Sequence, residues 1–224
     1  MADQIAWRET DHGAVPVSTR FEDPYYSLAG GLDETGHVFL AGNDLPARFG
    51  GAFAIAELGF GTGLNALATW AAWRDAGARG SVTFTSFEAF PLDTATLARA
   101  LAAFPALDPL AARLVVLWTP DGGRFALDPG FTLEVVIGDA RDTVPGWDGT
   151  ADAWFLDGFS PARNPDLWEP ALLRAVAERT APGGTAATYS AAGHVRRALA
   201  AAGFTVTRAP GYGRKRHMTR ARLG

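Results

Sequence analysis

The seven residues Glu57-Leu58-Gly59-Phe60-Gly61-Thr62-Gly63 constrain this chain more than any other stretch. They follow the apolar run Phe53-Ala54-Ile55-Ala56 and precede a helical pattern from Leu64 to Ala76, so they make a strand-to-helix turn. Glycines at every second position let the backbone turn tightly and let a ligand approach it closely. Such a turn needs a buried strand before it and a crossover helix after it, which places it in an α/β sheet.

The same alternation continues along the chain. Val82–Phe87 reads as a second strand, Asp93–Ala103 as a helix bounded by Pro91 and Pro105, and Phe131–Ile137 as a third strand opening onto Gly138-Asp139-Ala140. Ala153–Leu156 is a fourth strand ending on Asp157, and Leu167–Thr180 a helix stopped by Pro182-Gly183-Gly184. Thr185–Tyr189 and a helix over Gly193–Ala202 follow, and Phe204–Ala209 with His217–Leu223 makes a terminal hairpin. Short apolar strands separated by helices predict a doubly wound, Rossmann-like α/β sheet, mostly parallel, with an antiparallel hairpin at one edge. Residues 1–45 are irregular and rich in turn signals (Pro16, Pro24, Gly30-Gly31), and read as strands and loops decorating a core formed by residues 46–224. The length, 224 residues, suits a single domain overall.

Composition narrows the chemistry. With no cysteine and four scattered histidines (His12, His37, His194, His217), no metal site is expected. No apolar run reaches the length of a membrane span, and Asp3, Arg8, Glu9 and Asp11 interrupt any leader pattern, so a cytoplasmic protein is expected. A net charge of −4 argues against indiscriminate nucleic-acid binding. Yet Arg208, Arg214, Lys215, Arg216, Arg220 and Arg222 fall in one stretch without an acid, and Lys215 is the only lysine. That basic edge fits either a selective polyanion ligand or a solvated hairpin.

The glycine loop alone admits two ligands. Gly61-Thr62-Gly63-Leu64-Asn65-Ala66 also fits the dinucleotide pattern, in which a pyrophosphate sits at the helix N-terminus. Four carboxylates tilt the reading away from it. Glu57 precedes the loop, Glu88 ends the second strand, Asp139 follows the third and Asp157 the fourth. Acids at the carboxyl ends of adjacent strands suit S-adenosylmethionine, which is cationic and carries no phosphate. No Tyr-Lys or His-Asp pair is seen that would serve a nicotinamide enzyme.

Asp157-Gly158-Phe159-Ser160-Pro161-Ala162-Arg163-Asn164-Pro165 then suggests the acceptor. A carboxylate at a strand end can accept an N–H bond from an amine, orient its lone pair and take its proton. Phe159 could stack on an unpaired base. The plainer reading is a rigid Pro-bounded loop with Asn164 capping a helix.

Together these pieces resemble the methyltransferase domain of the bifunctional tRNA-modifying MnmC proteins and their standalone MnmD counterparts. The resemblance covers nearly the whole chain. It includes Phe21–Tyr26, Val38–Asn43, Glu57–Asn65 and Phe87–Leu92, and most specifically Asp152–Pro165 with Trp168, Ala192-Gly193 and Gly213–Arg216. It implies a class I methyltransferase that uses S-adenosyl-L-methionine to methylate the aminomethyl group of a wobble uridine, giving 5-methylaminomethyl-2-thiouridine. By position, Glu57, Gly59, Phe60, Gly61, Thr62, Gly63, Asn65, Glu88, Ala89, Phe90, Asp139, Ala140 and Asp157 would serve the cofactor, and Asp157 also the reacting amine. Phe159, Pro161, Arg163, Asn164, Lys215 and Arg216 would face the tRNA anticodon stem-loop. Arg163 departs from the lysine common in the family, which keeps the charge but changes the geometry. The flavin-dependent domain of the bifunctional members is not expected in this chain, nor therefore FAD. A methyltransferase or aminopropyltransferase acting on a small amine, and a catalytically silent nucleotide-binding module, remain competing readings.

Overall fold

The computed structural model describes residues 4–10, 13–28 and 30–224; Asp3, Asp11 and His12, considered above, lie outside these. The chain opens with a three-stranded antiparallel sheet of β1 (Ile5–Thr10), β2 (Gly13–Ser18) and β3 (Asp23–Pro24). Helix α1 (Gly31–Thr35) follows and runs on as a wider turn, Gly36–Leu40, and a tighter one, Ala41–Asn43. Sequence reasoning expected only strands and loops there. Val38 and Phe39 are adjacent and both buried, which hides the helical period in so short a segment.

The main sheet has eight strands: β4 (Ala52–Leu58), β5 (Ser81–Glu88), β6 (Gly123–Asp128), β7 (Phe131–Ile137), β8 (Ala151–Leu156), β9 (Thr180–Thr188), β10 (Phe204–Pro210) and β11 (His217–Leu223). Their order is β10-β11-β9-β8-β4-β5-β7-β6. The central strands β9, β8, β4, β5 and β7 pair in parallel, while β11 runs antiparallel to β9 and β6 antiparallel to β7. The terminal hairpin sits at the edge where the sequence placed it, but β6 makes the opposite edge antiparallel as well. Only Phe125 and Leu127 are buried in β6, an alternation too short between Gly123-Arg124 and Asp128 to announce a strand.

Helices α2 (Leu64–Asp75), α3 (Thr94–Leu101) and α4 (Asp108–Leu117) cover one face of the sheet; α5 (Ala140–Gly146), α6 (Pro170–Glu178) and α7 (Gly193–Ala201) cover the other. Strand alternation feeds both layers. Ile55, Phe84, Leu133 and Phe155 pack with α2 and α4, whereas Ala56, Leu58, Trp154 and Leu156 pack with α6 and α7. Sequence reasoning did not identify α4, whose Pro109 occupies a first-turn position where proline is tolerated. Pro182-Gly183-Gly184, expected to separate a helix from a strand, lies within β9. The β8–β9 register steps from Ala151↔Thr180 to Ala153↔Thr185, so these residues form a bulge.

Strand order reverses at β4: the chain moves outward through β5 and β7, then returns to β8 on the other side. Crevices at such a reversal, beyond the carboxyl ends of the strands, are where ligands bind in open α/β sheets.

Candidate functional site

A cavity of about 1040 Å³ opens at that reversal. Its floor comes from the ends of β4, β5, β7, β8 and β9; its far wall comes from Arg20–Leu28, α1 and the turn between β10 and β11.

The glycine loop forms one end. Gly59 adopts φ +88, and a Cβ there would sit 3.0 Å from the Asp157 carbonyl oxygen, so the β4 and β8 ends approach at backbone distance. The Gly59 amide donates to the Phe87 carbonyl at 2.9 Å. Gly61 has φ +54 beneath the Tyr25 ring, and its amide donates to Glu88 Oε2 at 2.9 Å. The Phe90 amide donates to Glu88 Oε1 at 2.6 Å. Glu88 is therefore buried and oriented by main chain, and burial pushes its carboxyl up against the pull of those amides. Thr62, Ala89, Phe90 and Ala140 share the wall, and Phe60 does so while stacked on Trp118 at 4.8 Å.

Asp139 caps α5 through the Arg141 amide at 2.9 Å. The Arg141 guanidinium also grips it, Nη2 to Oδ2 at 2.6 Å and Nε to Oδ1 at 3.0 Å, and holds its carboxyl below the usual range. Arg141 reaches on to Asp166 at 3.2 Å, tying α5 to the loop after β8. Sequence reasoning did not single out Arg141; an arginine two residues after a cap aspartate was the available signal.

At the other end, Asp157 is pushed up to about 7, chiefly by burial, against the Asn65 amide and the Gly158 amide that favour its charged form. Asn65 Nδ2 bridges two acids, Asp157 Oδ2 at 2.7 Å and Glu57 Oε1 at 2.8 Å. Thr35 Oγ1 donates to Asn65 Oδ1 at 2.7 Å, which fixes the direction of that amide. Ser86 Oγ completes the set by donating to Glu57 Oε2 at 2.6 Å. Glu57 is fully buried, its carboxyl raised well above the ordinary value by burial, and it does not line the cavity. Direct contact with a ligand was expected of it; the structure puts it one layer below the wall, hydrogen-bonded to Asn65. Gly63 is likewise off the wall, packed against the Phe60 ring.

The loop after β8 is pinned from several directions. Tyr189 donates its hydroxyl to the Gly158 carbonyl at 2.6 Å, Trp168 Nε1 donates to the Phe159 carbonyl at 2.9 Å, and the Ser160 amide donates to Asp23 at 2.7 Å. Phe159 lines the cavity with Phe21 stacked on it at 4.7 Å and Tyr25 edge-on at 5.1 Å. Asn164 also lines the cavity and makes no side-chain cap to the short helical turn Pro165–Trp168. Pro161 and Arg163 are off the wall; Arg163 pairs with Glu22.

The basic edge divides. Arg220 and Arg222 are tied to Asp44. Lys215 turns into the cavity, its Nζ 2.8 Å from Glu34 Oε1 and 3.9 Å from the centre of the Tyr189 ring. Arg216 lies off the wall, and among the described residues Arg208, Arg214 and Arg216 are exposed and make no ion pair. No cluster of three or more acids and histidines suited to a metal ion occurs among the described residues, and no single helix there is long and apolar enough to cross a membrane.

Residues 110–224 match the family model of the S-adenosyl-L-methionine-dependent methyltransferases. Among curated proteins, the tRNA 5-methylaminomethyl-2-thiouridine biosynthesis bifunctional protein MnmC of Chromobacterium violaceum is 46% identical over 228 residues, covering 96% of this chain and 34% of that protein. The protein of the same name from Ralstonia nicotianae is 49% identical over 211 residues, covering 91% of this chain and 32% of that protein. The chain thus spans about a third of the length of these relatives. Among solved structures, MnmC2 from Aquifex aeolicus superimposes with a TM-score of 0.79 at 26% identity, over 99% of this chain and 71% of that one. TrmN from Thermus thermophilus (TM-score 0.51, 17% identity, 94% of this chain and 57% of that one) shares the fold.

Proposed function

The chain belongs to the family of S-adenosyl-L-methionine-dependent methyltransferases, and from that premise we propose that it methylates the aminomethyl nitrogen of a modified wobble uridine in tRNA, giving 5-methylaminomethyl-2-thiouridine. The names of its MnmC relatives motivate the substrate. The observation that carries the reading is the position of Asp157: a half-buried carboxyl, raised to about 7, in the wall of the same cavity as the glycine loop.

The donor set fits the cofactor. Gly59 and Gly61 leave a cradle beside the backbone that a side chain would fill, Glu88 and Asp139 offer carboxylate oxygens to hydroxyl and amino groups, and Phe60, Tyr25 and Phe90 supply apolar walls. When bound, S-adenosyl-L-methionine supplies an electrophilic methyl group on a cationic sulfur. The chain's own part is to present a neutral amine in line with it. Asp157 accepts an N–H of the acceptor and so directs the nitrogen lone pair; its carboxylate, with an affinity near neutrality, takes the proton released on methylation. Asn65, locked by Thr35, keeps Asp157 in that orientation. Phe21, Tyr25 and Phe159 form an aromatic wall that excludes water and presents a ring to an unstacked base. Asn164 lies beside that wall, and Arg214 on the cavity wall and Arg216 on the exposed turn beside it offer cations to phosphate. Such a substrate places the work in the cytoplasm.

Methyl transfer from labelled S-adenosyl-L-methionine to tRNA bearing the aminomethyl group, run beside free polyamines, tests the proposal. Label in the tRNA wobble position is the expected result. Label in polyamine alone would remove the tRNA assignment and favour a small-amine enzyme.

A further inference from the structure

Lys215 lies in the cavity rather than on the basic edge that the sequence drew around it. Its ammonium sits 2.8 Å from Glu34 Oε1, over the Tyr189 ring at 3.9 Å, in a cavity it shares with Asp157. Glu34 is the more buried partner, with 12% of its side chain exposed against 42% for Lys215. Charged and titratable groups converge here from the packed elements: Glu34 from α1, Glu57 from β4, Asp157 after β8, Tyr189 after β9, Tyr212, Arg214 and Lys215 from the β10–β11 turn and Asp23 from β3, with Asp33 of α1 behind Tyr212. Glu34 and Lys215 act on Asp157 in opposite directions, the carboxylate raising its proton affinity and the ammonium lowering it.

A primary alkylamine enters from water mostly as an ammonium, and only the neutral form is a nucleophile. A free carboxylate at Glu34 would hold that ammonium and oppose its deprotonation. We propose that Lys215 is a positioning residue: it occupies Glu34 as an internal counter-cation, leaving Asp157 as the carboxylate that faces the acceptor, which then binds as the neutral amine. The inference rests on the amine acceptor proposed above. It differs from a phosphate-contacting role for Lys215, because the ammonium is committed to a buried acid of the same chain.

The test is the pH profile of kcat for methyl transfer to aminomethyl-bearing tRNA in the full chain, with Lys215→Met, Lys215→Arg, Glu34→Gln and the double variant Glu34→Gln/Lys215→Met. Losing the cation should move the acidic limb of Lys215→Met to higher pH, because the uncompensated Glu34 carboxylate then raises the proton affinity of Asp157. Activity should then recover at alkaline pH, Lys215→Arg should keep the limb in place, and the double variant should restore it. A pH-independent loss would mean a structural role. An unmoved limb with a raised KM for tRNA and a flatter salt dependence would mean a phosphate contact. Either result overturns the inference.

A second measurement separates this inference from its premise. The Asp157 carboxyl, followed by ¹³C NMR without substrate, should titrate at higher pH in Lys215→Met and return in the double variant. If the wild-type chain leaves aminomethyl-tRNA unmethylated, the tRNA reading falls and this titration still decides the role of Lys215. An unmoved Asp157 would overturn it.

Discussion

At the Glu88 end of the cavity the polar groups come from the β4–α2 turn and the ends of the neighbouring strands β5 and β7, and main-chain amides orient Glu88. At the Asp157 end they come from separate stretches of chain: Thr35, Asn65, Asp157, Tyr189 and Lys215 meet only because the N-terminal segment and the last hairpin close over the sheet. Backbone-built sites tolerate side-chain change and fail when the backbone itself is altered. Sites built from side chains fail one hydrogen bond at a time.

The sharpest way to break that contrast is Asp157→Asn. It removes the proton acceptor while keeping shape, and should lower kcat by about 10²–10⁴-fold. Cofactor affinity, measured by calorimetry, should stay within roughly several-fold, since the Glu88 end is untouched. Near-normal turnover would remove Asp157 from the chemistry. Gly61→Val is the mirror experiment. A Cβ at φ +54 and 3.1 Å from the Tyr25 ring strains the loop and should weaken cofactor binding by about 10–100-fold, in keeping with about 1–3 kcal/mol of backbone strain. Unchanged cofactor affinity would show that the loop does not depend on its backbone geometry.

The two ends were unequally legible in the sequence, and for the same reason. Gly59, Gly61 and Glu88 announce themselves because the local chain both makes and orients that part of the site. The parallel strands were legible too, since β4 and β8 are buried on both faces and read as largely apolar runs, and β5 and β7 begin with apolar residues at every second position. Glu57 was seen as an acid beside the loop, but its depth depends on Ser86 and Asn65, which come from other elements. The inward turn of Lys215 could not be read, because its partner Glu34 is 181 residues away in a segment whose helical character was itself hidden. Composition saw a run of like charges; tertiary packing divided it into one lysine paired with a buried acid, two arginines tied to Asp44, and an exposed remainder.

A stability measurement sharpens the contrast further. Burial raises the Asp157 carboxyl from 3.8 to about 7. An acid raised on folding favours the fold while it is protonated, and that contribution is lost as pH climbs through its folded value. The wild type should therefore lose stability relative to Asp157→Asn between about pH 4 and pH 7, with a constant difference above. Thermal unfolding should show the variant melting higher at pH 8 by roughly 3 °C or more, at about 2–4 °C per kcal/mol for a chain of this size. An equal Tm across that window would mean that Asp157 is solvated in the folded protein. A functional acid held at a cost to stability is the usual trade at a working site.

The smallest expected effect lies outside both ends. Arg214 and Arg216 carry no ion pair among the described residues, so replacing both by alanine removes charge without disturbing a partner. If they meet phosphate, the slope of log affinity for tRNA against log salt should fall by about 1 for each cation lost, with kcat and its pH profile unchanged. Lys215→Met should do the reverse, moving the pH profile and leaving the salt slope close to that of the wild type. Two adjacent basic residues, Lys215 and Arg216, would then be separated by measurement as they are by packing: one a counter-charge inside the cavity, the other a contact at its mouth. A salt slope that responds equally to both would return Lys215 to the surface and dissolve the distinction.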